Sequence, residues 1–179
     1  MKHSMGVRKL AGFLFVSIAG TFLHFLYEIS GENIAAGLIS AVNESIWEHM
    51  KLIFYPMLLV SLIEYYRAEG NRAIIRCSTL AGILLALILI PVLYYSYTGI
   101  LGVSADWFNV TIFFIAAGAA YWLEYRIESA PGNCQISVKL WILVLLLIAG
   151  AFTAATFYPP RVALFRDPLT GTWGIREIS

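Results

Sequence analysis

An all-α membrane protein, with five spanning helices and a short half-helix in the first outer loop, is what this sequence predicts. Composition carries part of that expectation. The chain is 60% hydrophobic and 13% charged, whereas soluble domains carry about 25% charged residues, so there is too little polar surface to cover a globule. Its mean hydropathy is +0.77. The pattern carries the rest. Five runs, 10–27, 49–66, 74–97, 107–123 and 138–158, are continuously apolar, each close to the roughly 20 residues a membrane helix needs. None alternates with period two, and an open sheet edge cannot sit in lipid, so strands are excluded. A length of 179 residues suits one membrane-embedded domain over 1–179, with an outer tail at 159–179.

The first run follows a basic segment containing Lys2, Arg8 and Lys9. No clean A-x-A cleavage site follows it, and it continues to Tyr27, so it reads as a retained helix rather than a cleaved signal. Gly31 is placed to end it. The apolar segment 34–39 is too short to span, so it is expected to lie in the interface or dip back as a re-entrant piece. Ser45-Ile46-Trp47-Glu48 matches the S-x-x-E capping box that starts a helix. Pro56 and Pro91 fall inside apolar runs and are expected to kink them. Tyr94, Tyr95, Tyr97 and Trp107 read as an interfacial aromatic belt. The short fourth run is extended by Asp106 and Glu124 at the two interfaces. Glu64 and Glu124, near Arg67 and Arg126, read as snorkelling or paired interface charges without a functional role.

Lys and Arg placement sets the orientation. Eight of the twelve basic residues, Lys2, Arg8, Lys9, Arg67, Arg72, Arg76, Arg126 and Lys139, fall on the N-terminal side. Lys51, Arg161, Arg166 and Arg176 fall on the other, together with Glu28, Glu32, Glu44, Glu48, Asp106, Asp167 and Glu177. The N-terminus is therefore expected in the cytoplasm and the C-terminus outside. Cys77 and Cys134 then lie on the cytoplasmic side and are expected to be two unbonded packing residues. A net charge of +1 recruits no nucleic acid. Glycine-rich phosphate loops and serine-elbow patterns are absent.

Chemistry concentrates at the outer ends of the first two helices. Ser17, Thr21, His24 and Glu28 follow the i, i+4, i+7, i+11 spacing of one helical stripe. Glu44, Glu48, Lys51 and Tyr55 repeat it on the second helix, with His49 about 100° away from Glu48. Ionisable groups at the edge of hydrocarbon are expensive, so two stripes meeting there form a site hypothesis. His24 and Glu28 offer a nitrogen and an oxygen to a divalent metal such as zinc. Glu44, Glu48 or His49 would complete the set or act as acid and base. Asn43 and Lys51 flank the same stretch as substrate contacts, and Arg161 and Arg166 on the tail suit an anionic lipid headgroup.

His24-Phe25-Leu26-Tyr27-Glu28, Asn43-Glu44-Ser45-Ile46-Trp47-Glu48-His49-Met50-Lys51 and Phe165-Arg166-Asp167-Pro168-Leu169-Thr170-Gly171 together give the motifs HFxYE, NESxWEHxK and FRDPxTG. In these the chain resembles a family of small bacterial polytopic membrane proteins known only as a domain of unknown function. The resemblance spans nearly the whole chain and implies a membrane protein, with no substrate attached. Three functions stay open. The first is an outward-facing carboxylate/histidine membrane enzyme, metal-dependent or not, acting on a lipid or lipid-linked substrate. The second is a proton- or cation-binding transporter or channel subunit, disfavoured because the polar stripe fades past Ser17. The third is a structural or partner-binding protein whose polar cluster glues helices together.

Overall fold

Each apolar run folds as a helix because backbone groups in hydrocarbon have no partner but one another. The computed structural model describes residues 2–130, 132 and 134–175, with side chains from residue 4 onward. Its helices are α1 (Lys2–Ile29), α2 (Ile34–Gly37), α3 (Ile46–Arg67), α4 (Arg72–Leu101), α5 (Asp106–Ser129) and α6 (Val138–Phe157), followed by a 3-10 turn at Ala163–Phe165. All but α2 are long and apolar enough to cross a membrane, and no strand occurs among the described residues. Arg176 and Glu177, which entered the charge count, lie outside the described residues.

Local sequence sets the boundaries. Asn33, Ser45, Asn71 and Ser137 each cap the helix that follows with a side-chain oxygen, satisfying a backbone N–H that would otherwise be orphaned. Gly31 takes φ +70 just past α1, and the Glu32 N–H donates to the Tyr27 carbonyl at 3.0 Å. The capping box at Ser45 forms only by half. Ser45 Oγ accepts from the Glu48 N–H at 3.4 Å, but the Glu48 carboxylate turns to Val42 N and Lys51 instead. Helices α3 and α4 run through Pro56 and Pro91.

α4 packs along α3 and α5, α1 packs along α3 and α5, and α6 stands against α3 and α4. Ala116, Ala117 and Ala120 are fully buried in the α5 face; small side chains let membrane helices approach closely. Val16, Ile53, Phe54 and Ile83 fill the middle of the bundle. The first loop packs inward, with Gly37 and Ser40 to Asn43 buried.

Three expectations are corrected here. Cys77 and Cys134 form a disulfide, with Cα atoms 6.3 Å apart; the α5–α6 connection folds back onto the start of α4, bringing together residues 57 apart in sequence. Tyr97 leaves the aromatic belt: it is 7% exposed and its hydroxyl bonds Asn109. Glu64 and Glu124 do not snorkel. They are buried and, with Glu128, converge on Lys9, because α5 continues past the end of its apolar run and carries Glu124 and Glu128 inside the bundle, where Glu64 of α3 meets them. Arg126 instead lies 5.3 Å over the Trp122 ring.

Candidate functional site

Helix α1 delivers His24 to one end of the bundle, the turn before α3 delivers Glu44, and the first turn of α3 delivers His49. One donor atom from each lies within 4.8 Å of the other two, and all three residues are half-buried. His49 Nε2 is 3.3 Å from Glu44 Oε2, His24 Nε2 is 4.0 Å from Glu44 Oε1, and the two imidazoles are 5.2 Å apart.

The turn is held from both sides. Asn43 Oδ1 accepts from the Ser45 N–H at 2.9 Å, an Asx turn that fixes the backbone at Glu44 just before α3. Asp167, 4% exposed, accepts from the Glu44 N–H at 3.4 Å. Its other oxygen accepts from Leu169 N at 2.7 Å and Thr170 N at 3.2 Å. Gly171 completes that tail turn at φ +74. Trp47 lies between Phe152 and Phe165, 4.8 and 4.7 Å from their rings. The FRDPxTG segment is thus the clamp on the NESxWEHxK segment, and Asp167 is the positioning residue that sequence spacing did not single out.

His49 Nδ1 sits 2.9 Å from the Ser45 carbonyl oxygen. That oxygen can only accept, so the ring hydrogen is on Nδ1 and the neutral imidazole presents a lone pair at Nε2 toward the Glu44 carboxylate. Two lone pairs facing at that distance need a proton or a metal ion between them. Without metal the hydrogen bond from His49 holds the Glu44 carboxyl below the usual carboxylate range, against a desolvation that pushes it up.

A cavity of about 430 Å³ opens beside these groups, walled by Gly20, Thr21, Phe25, Val110, Phe113 and Phe114 and reached also by Asp106 and Asn109. A second of about 170 Å³ shares Glu44, His49, Asp106 and Asn109 and is closed by Pro168 and Leu169. Phe25, Val110 and Phe114 remain exposed on the outer face of the bundle, so the larger cavity has an apolar rim. A Cβ on Gly20 would fall 2.7 Å from the Leu52 carbonyl oxygen and 2.5 Å from Phe113; only glycine lets α1 close the cavity floor.

The remaining candidates separate from this cluster. Glu28 is exposed on α1 and is not among the grouped donors. Glu48 and Lys51, expected to face α1, turn the other way: Lys51 Nζ lies 2.5 Å from Glu48 Oε2 and donates to the Gly37 carbonyl at 2.8 Å and Thr156 Oγ1 at 3.0 Å. His49, expected to point partly elsewhere, is the one that faces His24. Arg161 and Arg166 are exposed on the tail, with the Arg166 guanidinium lying over Gly171. Asp106 and Asn109 enter the site from α5 without having been singled out as candidates, since nothing in their local pattern marks a partner across the bundle.

Fold and site together define a polytopic helical membrane protein with a histidine/carboxylate cluster at one end of its bundle. The chain belongs to a family of unknown function, DUF6512, whose model matches residues 4–175. No curated protein and no solved structure matches it.

Proposed function

We propose that the chain is a metal-dependent membrane enzyme that faces outward and acts on a lipid or lipid-linked substrate. One observation carries the metal: donor atoms of His24, Glu44 and His49 converge within 4.8 Å, with His49 Nε2 and Glu44 Oε2 3.3 Å apart. Bonds of about 2.0–2.1 Å at a tetrahedral ion put neighbouring donors about 3.3 Å apart. The backbone carbonyl on Nδ1 is the kind of outer partner that fixes a metal-binding imidazole. His24, Glu44 and His49 would hold the ion, zinc being the metal that such a set suits, and leave one position open toward the cavity. A zinc ion held there would supply an activated water, its pKa lowered to about 7, and a Lewis acid for an ester or phosphoryl oxygen. Asp106, lining both cavities, would take or return a proton in this reading. The apolar walls suit a hydrocarbon tail entering from the bilayer, within the usual size range of ligand pockets. Arg161 and Arg166 would meet an anionic headgroup at the rim. Transport gains no support, since Val16, Ile53, Phe54 and Ile83 are buried between the polar ends.

Elemental analysis tests the reading. Protein purified without chelator should carry near-stoichiometric transition metal that chelator strips, and the metal-loaded form should release headgroup from phospholipid or lipid-linked substrates in vesicles. Metal far below stoichiometry, with no uptake on addition, would end the proposal.

The orientation belongs to the same reading. The basic residues place the N-terminus in the cytoplasm and the site outside. The Cys77–Cys134 disulfide favours the reverse, since such bonds persist in oxidising compartments and this one sits at the end of the bundle that carries Lys9. A reporter fused after Ser179 is expected to signal from outside, and one inserted at Gly70 from the cytoplasm. The opposite pair of signals would assign the disulfide face to the outside and the metal site to the cytoplasmic leaflet.

A further inference from the structure

At the other end of the bundle α1 carries a second polar assembly. Lys9 Nζ lies 2.6 Å from Glu64 Oε2, 2.7 Å from Glu124 Oε2 and 2.8 Å from Glu128 Oε1. Arg8 adds ion pairs to Glu64, at 3.2 Å, and to Glu128, and Ser78 Oγ donates to Glu128 Oε1 at 2.7 Å. Lys9 is 3% exposed, Glu64 6%, Glu124 2% and Glu128 8%. The three acids are spaced to hold a metal ion, but the Lys9 ammonium already occupies that position, with its three donors spent on three carboxylates.

Charge does not balance. Three carboxylates face two cations, and one of those cations, Arg8, has a side chain 43% exposed to the surroundings. A net negative charge enclosed by apolar helices is costly. A single proton removes it.

A second observation points to the same ligand. Tyr121, one turn before Glu124 on α5, is 4% exposed, and its hydroxyl has no hydrogen-bond partner. That hydroxyl lies against α1 one turn from Lys9, 3.0 Å from where a Cβ on Gly12 would be. A buried hydroxyl is rarely left unpaired without reason. Glu124 is also the acid of the three that Arg8 does not pair with. Its Oε1 is seated where a Cβ on Gly82 would come within 2.5 Å, so α4 keeps a glycine to admit this carboxyl.

We propose that the cluster of Arg8, Lys9, Glu64, Glu124 and Glu128 is a proton-binding site, which takes one proton from water and carries it on Glu124 beside the Tyr121 hydroxyl. The titratable and charged groups facing Glu124 are Lys9 and Arg8 from α1, Glu64 from α3, and Tyr121 and Glu128 from α5; α4 presents Ser78 and Gly82. The site stands apart from the His24–Glu44–His49 cluster and does not depend on metal there. Fifteen residues of α1 separate Lys9 from His24, roughly 22 Å at helical rise.

Infrared difference spectroscopy of the full chain in lipid nanodiscs tests this by the carbonyl stretch of a protonated carboxyl. The wild type should show that band at neutral pH and lose it on alkaline titration. Glu124→Gln should fold and lack the band, while Glu28→Gln keeps it. Tyr121→Phe should shift its frequency by removing the neighbouring hydroxyl, and this second variant decides the matter if Glu124→Gln does not fold. A wild type without the band would show a fully ionised network that only braces the helices, and a band that Glu124→Gln and Tyr121→Phe both leave unchanged would put the proton on another carboxyl; either result would overturn the proposal.

Discussion

Lys51→Met should destabilise the protein by about 3–5 kcal/mol, the usual penalty for stripping one partner from a buried ion pair. Lys51 is fully buried and Glu48 is 2% exposed. Methionine keeps most of the length of the side chain and removes the charge, so the loss is chiefly one of pairing rather than volume. It leaves the Glu48 carboxylate with Val42 N and Thr156 Oγ1 and no countercharge, and it frees the Gly37 carbonyl from its bond to Lys51. Those partners belong to the first loop and to α6, so the ammonium ties both to α3. Adding Glu48→Met to the Lys51→Met chain should restore much of the stability, because an apolar pair of similar volume often matches a buried ion pair. Thermal unfolding in detergent reads both variants. A Lys51→Met chain within about 1 kcal/mol of wild type would mean that Lys51 is not buried as described, given the usual cost of an unpaired buried charge.

The contrast between Lys51 and His49 explains how much of this molecule was legible in its sequence. Length and hydropathy located all five spanning helices, since nothing but a helix satisfies its backbone in lipid. The positions of chemistry were visible too, because ionisable residues at the ends of apolar runs stand out. Their partition was not. Glu48 and His49 are neighbours, about 100° apart around α3, and the rotation of α3 decides which one meets α1. That rotation is fixed by Trp47 between Phe152 and Phe165 and by Lys51 reaching Thr156, contacts with segments about a hundred residues away. Glu28 failed to join His24 for a related reason: one turn further along α1 carries it beyond the packed end of the bundle. The Lys9 cluster was hidden more deeply. Lys9 resembles an ordinary cytoplasmic flanking charge, Glu64 and Glu124 resemble helix-end acids, and only the convergence of α1, α3 and α5 makes them one group. The disulfide was misjudged on compartment, because spacing alone says nothing about which loops fold back.

Loading the His24–Glu44–His49 site with zinc should raise the stability of the wild type, and single substitutions there should remove most of the rise. Metal at about a thousand times its dissociation constant adds roughly 4 kcal/mol to a protein that binds it only when folded. For a chain of this size that is about 8–16 °C in melting temperature. Loss of an outer partner typically weakens a metal site 10–100-fold, so His49→Ala, which deletes a ligand, should weaken it by at least about 100-fold. At the same metal concentration the gain then falls to about 1.4 kcal/mol. Glu44→Gln should behave alike, whereas Glu28→Gln, on an exposed residue, should keep the full response. The metal-free protein offers an internal check with its own sign. Glu44 has a lowered pKa through its hydrogen bond with His49, so their pairing stabilises the fold above the ordinary carboxylate range and is lost as pH falls through the lowered value. Glu44→Gln should flatten that acid limb of the melting curve even without zinc. A wild type that shows the acid limb but no response to any divalent metal would reduce the cluster to an ion pair joining α1 to α3. The enzyme reading would fall with it, because no other trio of donors lines the cavity among the described residues.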